Sequence, residues 1–393
     1  MEIKLSSRAL LAKPSATLMM AVRARELRAS GVDVITLGAG EPDFDTPEYI
    51  KQAAVNAIAA GDTKYTPVDG TPDLKKAIIN KFTSENNLKY EPAQILASCG
   101  AKHSIYNLFQ AAVEPGDEII LPAPYWVSYP DMVKLAGGNP VMIPTTQEQD
   151  FKITADQLEE KINSKTKVLV LNSPSNPSGA VYSQKELESL AEVLIKHPQI
   201  IVASDDIYEH IIFDNCVFQN ILNVCPELSE RTVVINGVSK AFSMTGWRIG
   251  YAAGPSKLIA AMKCVQSQST SCPSSISQAA AAEALKAGTS KLTEMLQAFD
   301  ERLKVTHAEL NKLPGIDCFL PQGTFYCFPN CNAAIEGIDG VNDDVEFSQF
   351  LLEKHHVAVV PGSAFGLTGH VRISFATDIE TIKTALSRIG KAL

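Results

Sequence analysis

The chain has 393 residues, 45% hydrophobic and 20% charged, with a formal net charge of −9 and a pI near 5.4. That length exceeds what one small core would organise, so two domains are expected, and the acidic balance argues against nucleic acid or an anionic membrane as partner. The opening MEIKLSSRALLAKPS lacks the apolar run of a signal peptide and no segment reaches the length of a membrane span, so a cytoplasmic location is expected.

Eight cysteines (Cys99, Cys216, Cys225, Cys264, Cys272, Cys318, Cys327 and Cys331) are scattered without a CxxC pair. They read as reduced thiols of an intracellular enzyme. The seven histidines show no metal-ligand spacing, so no metal is expected.

In chain order, Thr46–Pro47 and Thr71–Pro72 each look like an N-cap followed by the first helical residue. QILASCG (94–100) is strand-like and runs into the helical AKHSIYNLFQAAV, after which EIILPAPYW (118–126) is a second strand. KVLVLNSP (167–174) precedes a helix announced by the capping box of Ser183 with Glu186. IIVASDDIY (200–208) and TVVINGVSK (232–240) complete the series of apolar runs. Strand–helix alternation of this kind predicts an α/β fold with a mostly parallel sheet covered by helices. From about residue 290 the texture changes: a long amphipathic helix over 291–313, strand-like TFYCF, a helix over 343–355, strands VAVVPG and HVRISF, and a closing helix over 378–392. These predict a smaller α+β domain packed against the first, with a cleft between them.

In an open α/β sheet the functional residues gather at the carboxyl ends of the strands. Gly100, Ala101 and Lys102 open a helix where backbone N–H groups can cradle a phosphate. Tyr125 and Trp126 offer faces for stacking or for core packing; Asn176 serves as a ligand amide or a turn former. Asp205 is a buried acid or a helix cap, with Tyr208 close behind. Lys240 and Arg248 stand eight positions apart in VSKAFSMTGWRIGY, a stretch with no acidic residue. A lysine desolvated by small apolar neighbours has a lowered pKa and attacks aldehydes, whereas a surface lysine merely snorkels. Together these parts match what pyridoxal 5′-phosphate requires: a phosphate cradle, a ring platform, an acid for the pyridine nitrogen, donors for the phenolic oxygen and an imine-forming amine.

The strings LGAGEPDFDTP, KYTPVDG, NSPSNPSGAVY, SDDIYEH, SKAFSMTGWRIGYAAGP and GHVRISFA, in this order, resemble the class I aminotransferases of pyridoxal-phosphate fold type I, closest to the bacterial aspartate aminotransferase branch. The resemblance implies an arm and part of the small domain over 1–45, a large cofactor-binding domain over 46–290 and a small domain over 291–393. It implies that Lys240 forms the internal aldimine and shuttles the proton, Asp205 holds the pyridinium, Tyr208 and Asn176 bond the phenolic oxygen, and Trp126 stacks on the ring. Gly100, Ala101, Lys102 and Arg248 would hold the phosphate, joined by Tyr65 from the neighbouring subunit of a homodimer. Ser239 stands directly before Lys240, while the position three before it, a serine in many relatives, is Gly237. Arg372 would clamp the substrate α-carboxylate with Asn176, Trp126 and Gly40. Lys102, Ser15 and Thr17 would read a distal carboxylate, and Lys13 would favour prephenate.

The activity so implied is ping-pong transamination between L-aspartate and 2-oxoglutarate. Aspartate/prephenate or broad-specificity (aromatic or alanine) transamination, or lyase chemistry on the same scaffold, is the alternative. A ligand-sensing domain of a transcription regulator would need an added basic region, and GAGEPD lacks the GxGxxG spacing of a dinucleotide fold.

Overall fold

The apolar runs lie side by side. The computed structural model describes residues 3–11, 16–214 and 216–393. Among these, seven strands form a central sheet: β1 (Ile95–Ser98), β2 (Glu118–Ala123), β3 (Asn139–Pro144), β4 (Thr166–Asn172), β5 (Ile201–Asp205), β6 (Thr232–Gly237) and β7 (Gly250–Ala253). Their spatial order is β1-β7-β6-β5-β4-β2-β3. Strand β7 runs against both its neighbours, and the other pairs are parallel. The sheet is therefore mixed and mostly parallel.

Period-two alternation divides the strand side chains between two cores. Val168, Val170, Ala203, Val233 and Ile235 pack on one face, Leu169, Leu171, Val202 and Val234 on the other. Each fully buried Val or Leu contributes about 1.5–3 kcal/mol, which explains the near-continuous apolar runs of β4, β5 and β6.

Two strands carry weaker signals. β3, NPVMIP, contains two prolines and sits at the sheet edge, where a missing N–H is tolerated. β7, GYAA, is short and built of small residues.

Thr71 caps the helix Pro72–Asn86 through a bond from the Leu74 N–H, and Ser183 with Glu186 closes the capping box of Gln184–Lys196. Thr46 behaves differently from its expected role. The helix Glu48–Ala59 begins after Pro47 with no side-chain cap. The Thr46 hydroxyl instead donates to the Ser243 carbonyl at 2.6 Å and accepts from Trp247 Nε1 at 2.9 Å, tying this strap to the loop that follows Lys240.

A further core gathers the helices Thr293–Leu310, Asp344–His355 and Ile379–Gly390 around Phe299, Phe325, Phe347 and Phe375. Its three-stranded antiparallel sheet orders Val360–Pro361, Val371–Ser374 and Tyr326–Cys327. Ile35–Thr36 pairs in parallel with Val357–Ala358, so the beginning of the chain joins its last hundred or so residues. Among the described residues no helix is long and apolar enough to cross a membrane.

Candidate active site

The carboxyl ends of β1, β4, β5 and β6, and the amino end of antiparallel β7, share one edge of the sheet. A cavity of about 630 Å³ opens there, lined by Gly40, Ala101, Lys102, Trp126, Asn176, Asp205, Tyr208, Ser239, Lys240, Arg248 and Arg372. Eleven of the residues singled out in the sequence thus meet around one space.

Lys240 reaches the cavity three residues beyond β6, and its Nζ donates to the Gly40 carbonyl at 2.5 Å. The amine lies 5.5 Å from the Tyr208 ring centroid and 5.9 Å from that of Phe325. Burial, then the charges of Arg372 and Arg248, against opposing pulls from Glu41 and Asp205, lower its pKa to about 8. The stretch without acids leaves this lysine bonded to a carbonyl, poised as an amine.

Asp205, at the end of β5, is 4% exposed and accepts from the Tyr129 hydroxyl at 2.5 Å and the Ile207 N–H at 3.4 Å. Burial pushes its carboxyl up to about 6, although the Tyr129 bond, the Ile207 N–H and Lys240 pull the other way. The Tyr208 and Tyr326 hydroxyls share a hydrogen bond of 2.9 Å, and burial first, then Tyr326, drives the Tyr208 phenol well above its ordinary value.

Arg372 is nearly fully buried between Tyr326 and Phe365, its guanidinium 4.3 Å and 5.1 Å from the ring centroids. Its Nη1 donates to Asn176 Oδ1 and its Nη2 to the Gly38 carbonyl, each at 2.9 Å, while its Nε–H has no acceptor among the described residues. Asn176 is itself fixed by its N–H to Asn172 Oδ1 at 2.9 Å.

The anion cradle is made of close backbone approaches. A Cβ on Gly100 would lie 2.3 Å from Arg248 Nη2, and one on Gly250 would lie 2.1 Å from the Ala101 nitrogen. Gly237 is pressed against Gly250, its Cβ position 3.0 Å from the Gly250 Cα, so a serine here would be crowded. The Gly100 N–H is already bonded to the Ser98 carbonyl at 2.7 Å. The first-turn N–H groups of Ala101 and Lys102 point out of the helix Ala101–Ala112 without helical acceptors. Arg248 adopts a left-handed φ of 57° and donates to the Thr245 carbonyl at 2.7 Å. Lys102 lies 4.8 Å over the Trp126 ring, its pKa lowered by desolvation and by Arg248.

Tyr65 stands apart, 94% exposed on a separate recess beside Cys272 and Ser274. Lys13, Ser15 and the side chain of Thr17 lie outside the described residues; their neighbours Leu18, Met20 and Ala21 line the cavity. Sequence reasoning passed over Tyr129, Asn172 and Tyr326, whose partners Asp205, Asn176 and Tyr208 it had named. Asn172, the last residue of β4, and Tyr326, the first of the strand Tyr326–Cys327, carried the signal of a polar group at a strand end; Tyr129, which opens a helix, carried none.

Residues 32–389 match the family described as Aminotransferase class I and II. The chain belongs to this family. It is 52% identical, over all of both chains, to an aspartate/prephenate aminotransferase of Nitrosomonas europaea. It superimposes on an aspartate aminotransferase of Rhizobium meliloti with a TM-score of 0.96 at 48% identity, covering 100% of this chain and 99% of that one. An aspartate aminotransferase of Thermus thermophilus with maleate gives 0.94 at 43% identity, with both chains fully covered. The fold is that of pyridoxal-phosphate fold type I, and the enzyme is an aminotransferase acting on amino acids and 2-oxo acids.

Pyridoxal phosphate is the cofactor of such enzymes, and the cavity suits it. An Arg372 N–H without an acceptor among the described residues, a cradle that a Cβ at Gly100 would fill, and a lysine amine held near 8 are the features that an aldehyde-bearing phosphate ester and a carboxylate substrate would satisfy.

Proposed function

We propose that this aminotransferase exchanges the amino group between L-aspartate and 2-oxoglutarate, giving oxaloacetate and L-glutamate in two half-reactions at one site. The observation that carries the reading is the Lys240 amine, depressed to about 8, in a cavity that also holds Asp205 and the Arg372 guanidinium. Bound pyridoxal phosphate supplies an aldehyde for capture by an amine and a ring that accepts electron density from Cα.

Lys240 would hold the cofactor covalently and, once displaced by the substrate amine, take the Cα proton and deliver it to the adjacent cofactor carbon. Asp205 would keep a proton on the pyridine nitrogen. Tyr208 and Asn176 would bond the phenolic oxygen, and Trp126 would stack on the ring. Ala101, Lys102, Ser239 and Arg248, on the surface shaped by Gly100, would bind the phosphate. Arg372 would take the α-carboxylate through a planar fork, helped by Asn176, Trp126 and Gly40. Lys102, with Ser15 and Thr17 of the arm, would read the distal carboxylate.

A second reading, prephenate as an additional amino acceptor, draws on the Nitrosomonas europaea relative named for both activities and on the apolar wall of Leu18, Met20 and Ala21. The exposed Tyr65, which lines a recess other than its own cavity, supports a homodimer in which each copy completes the other's phosphate site. Residues 46–290 would form the large domain, and 1–45 with 291–393 the arm and small domain.

Borohydride reduction of the purified holoenzyme followed by peptide mapping should place the reduced pyridoxyl group on Lys240. A steady-state panel should favour L-aspartate with 2-oxoglutarate over alanine and phenylalanine. A label elsewhere, or turnover retained by Lys240→Ala, would remove the scheme.

A further inference from the structure

Asp205 has a buried companion that no sequence signal named. Tyr129 is the first residue of the helix Tyr129–Leu135, only 1% exposed, and its hydroxyl lies 2.5 Å from Asp205 Oδ2. The ring meets Trp126 edge-on at 5.4 Å and 86°. Asp205 Oδ1 has a weaker protein contact, the Ile207 N–H at 3.4 Å. The groups that bear on the carboxylate are thus Tyr129 from its helix, the backbone at Ile207, Tyr208 on the following turn and Lys240 beyond β6.

A carboxylate removed from water loses its preference for the charged form, and a donor bonded to that form restores it. Lys240 also restores it while it carries a charge, but a lysine that bonds an aldehyde ceases to be a free ammonium. The Tyr129 bond persists through that change. The phenol cannot take over the negative charge, since burial first and Asp205 next hold its pKa well above the ordinary value.

We propose that Tyr129 is a positioning residue of the transamination site: its hydroxyl holds Asp205 ionised and rotationally fixed where the cofactor's ring nitrogen needs a countercharge. This rests on the role proposed above for Asp205.

The test uses the holoenzyme loaded with cofactor labelled with ¹⁵N in the ring. Tyr129→Phe keeps the ring and its contact with Trp126 but removes the donor. The ¹⁵N resonance should move towards the unprotonated position at neutral pH, and the acid limb of kcat/KM should rise by about one pH unit or more. Replacing Tyr129 by 3-fluorotyrosine, nearly the same shape but a stronger donor, should shift the limb the opposite way. This second substitution decides the matter alone if the phenylalanine variant does not fold.

Asp205→Asn is run in parallel. If it displaces the ¹⁵N signal and abolishes turnover while the changes at 129 leave both signal and limb at their wild-type positions, the Tyr129 inference falls and the role of Asp205 stands. If Asp205→Asn leaves the nitrogen protonated and turnover intact, the Asp205 reading itself falls, and with it this one.

Discussion

Nη1 of Arg372 donates to Oδ1 of Asn176 at 2.9 Å, joining residues 196 positions apart across the cavity. Asn176 follows β4 in the central sheet, and Arg372 lies on the strand Val371–Ser374 of the C-terminal sheet. The central sheet and the C-terminal sheet are therefore bonded at the cavity wall, where the function proposed above puts the α-carboxylate. Tyr326 beneath the guanidinium and the Gly38 carbonyl beside it leave Arg372 little freedom to turn.

Arg372→Lys should expose that dependence on planarity. An ammonium retains the charge but cannot present two parallel N–H donors while also holding Asn176 and Gly38. Losing one charge-assisted hydrogen bond costs about 1.5–3 kcal/mol, so KM for L-aspartate and for 2-oxoglutarate should each rise by roughly 10–150-fold. Initial rates over a wide concentration range for each substrate check this; an unchanged KM would move the carboxylate site away from Arg372.

Lys102→Ala addresses the distal carboxylate. The Lys102 ammonium lies over Trp126 in the same cavity as Arg372. If it reads the second carboxylate, kcat/KM for aspartate should fall by about 10-fold or more, while that for alanine changes little. Equal losses for both amino acids would instead assign Lys102 to the phosphate cradle.

Attachment of the cofactor should follow the ionisation of Lys240. Its pKa is lowered to about 8, so the reactive free amine gains tenfold per unit as pH rises towards that value and levels off above it. The rate of yellow colour formation when pyridoxal phosphate is added to the cofactor-free protein should trace this curve. Because Arg372 is the second contribution to the depression after burial, Arg372→Ala should move the midpoint upward.

The features legible in the sequence were those encoded locally. Apolar runs announced β1, β2, β4, β5 and β6, and the Ser183 capping box announced its helix, because burial and capping act within a few residues. β3, with its two prolines, and β7, of small residues, have no such local signature; the sheet around them makes them strands. The same division holds at the site. Lys240, Asp205 and Arg248 could be named from strand ends and composition, but the Tyr129 bond to Asp205 spans 76 positions and the Tyr208 bond to Tyr326 spans 118. Thr46 was legible as a residue type and wrong as a cap, since its hydroxyl is used by Ser243 and Trp247 some 200 positions away.

The second acid of the SDD motif carries a prediction for stability. Asp206 is 2% exposed and accepts from the Ser204 hydroxyl at 2.7 Å and from Asn220 Nδ2 at 2.5 Å, with no cation bonded to it among the described residues. Burial, then the negative charge of Glu209, which is itself paired with Lys81, raises its pKa to about 8. A carboxyl raised on folding favours the native state fully below its unfolded value of 3.8, and that contribution is lost as pH rises through 8. Asp206→Asn can donate to Ser204 and accept from Asn220 at every pH. Its Tm relative to the wild type should therefore climb between pH 4 and 8, by up to about 1.4 kcal/mol or roughly 2 °C per pH unit, and level off above. Thermal denaturation of both proteins across that range measures the difference. A gap that stays constant with pH would mean that Asp206 is ionised throughout this range and is not raised on folding.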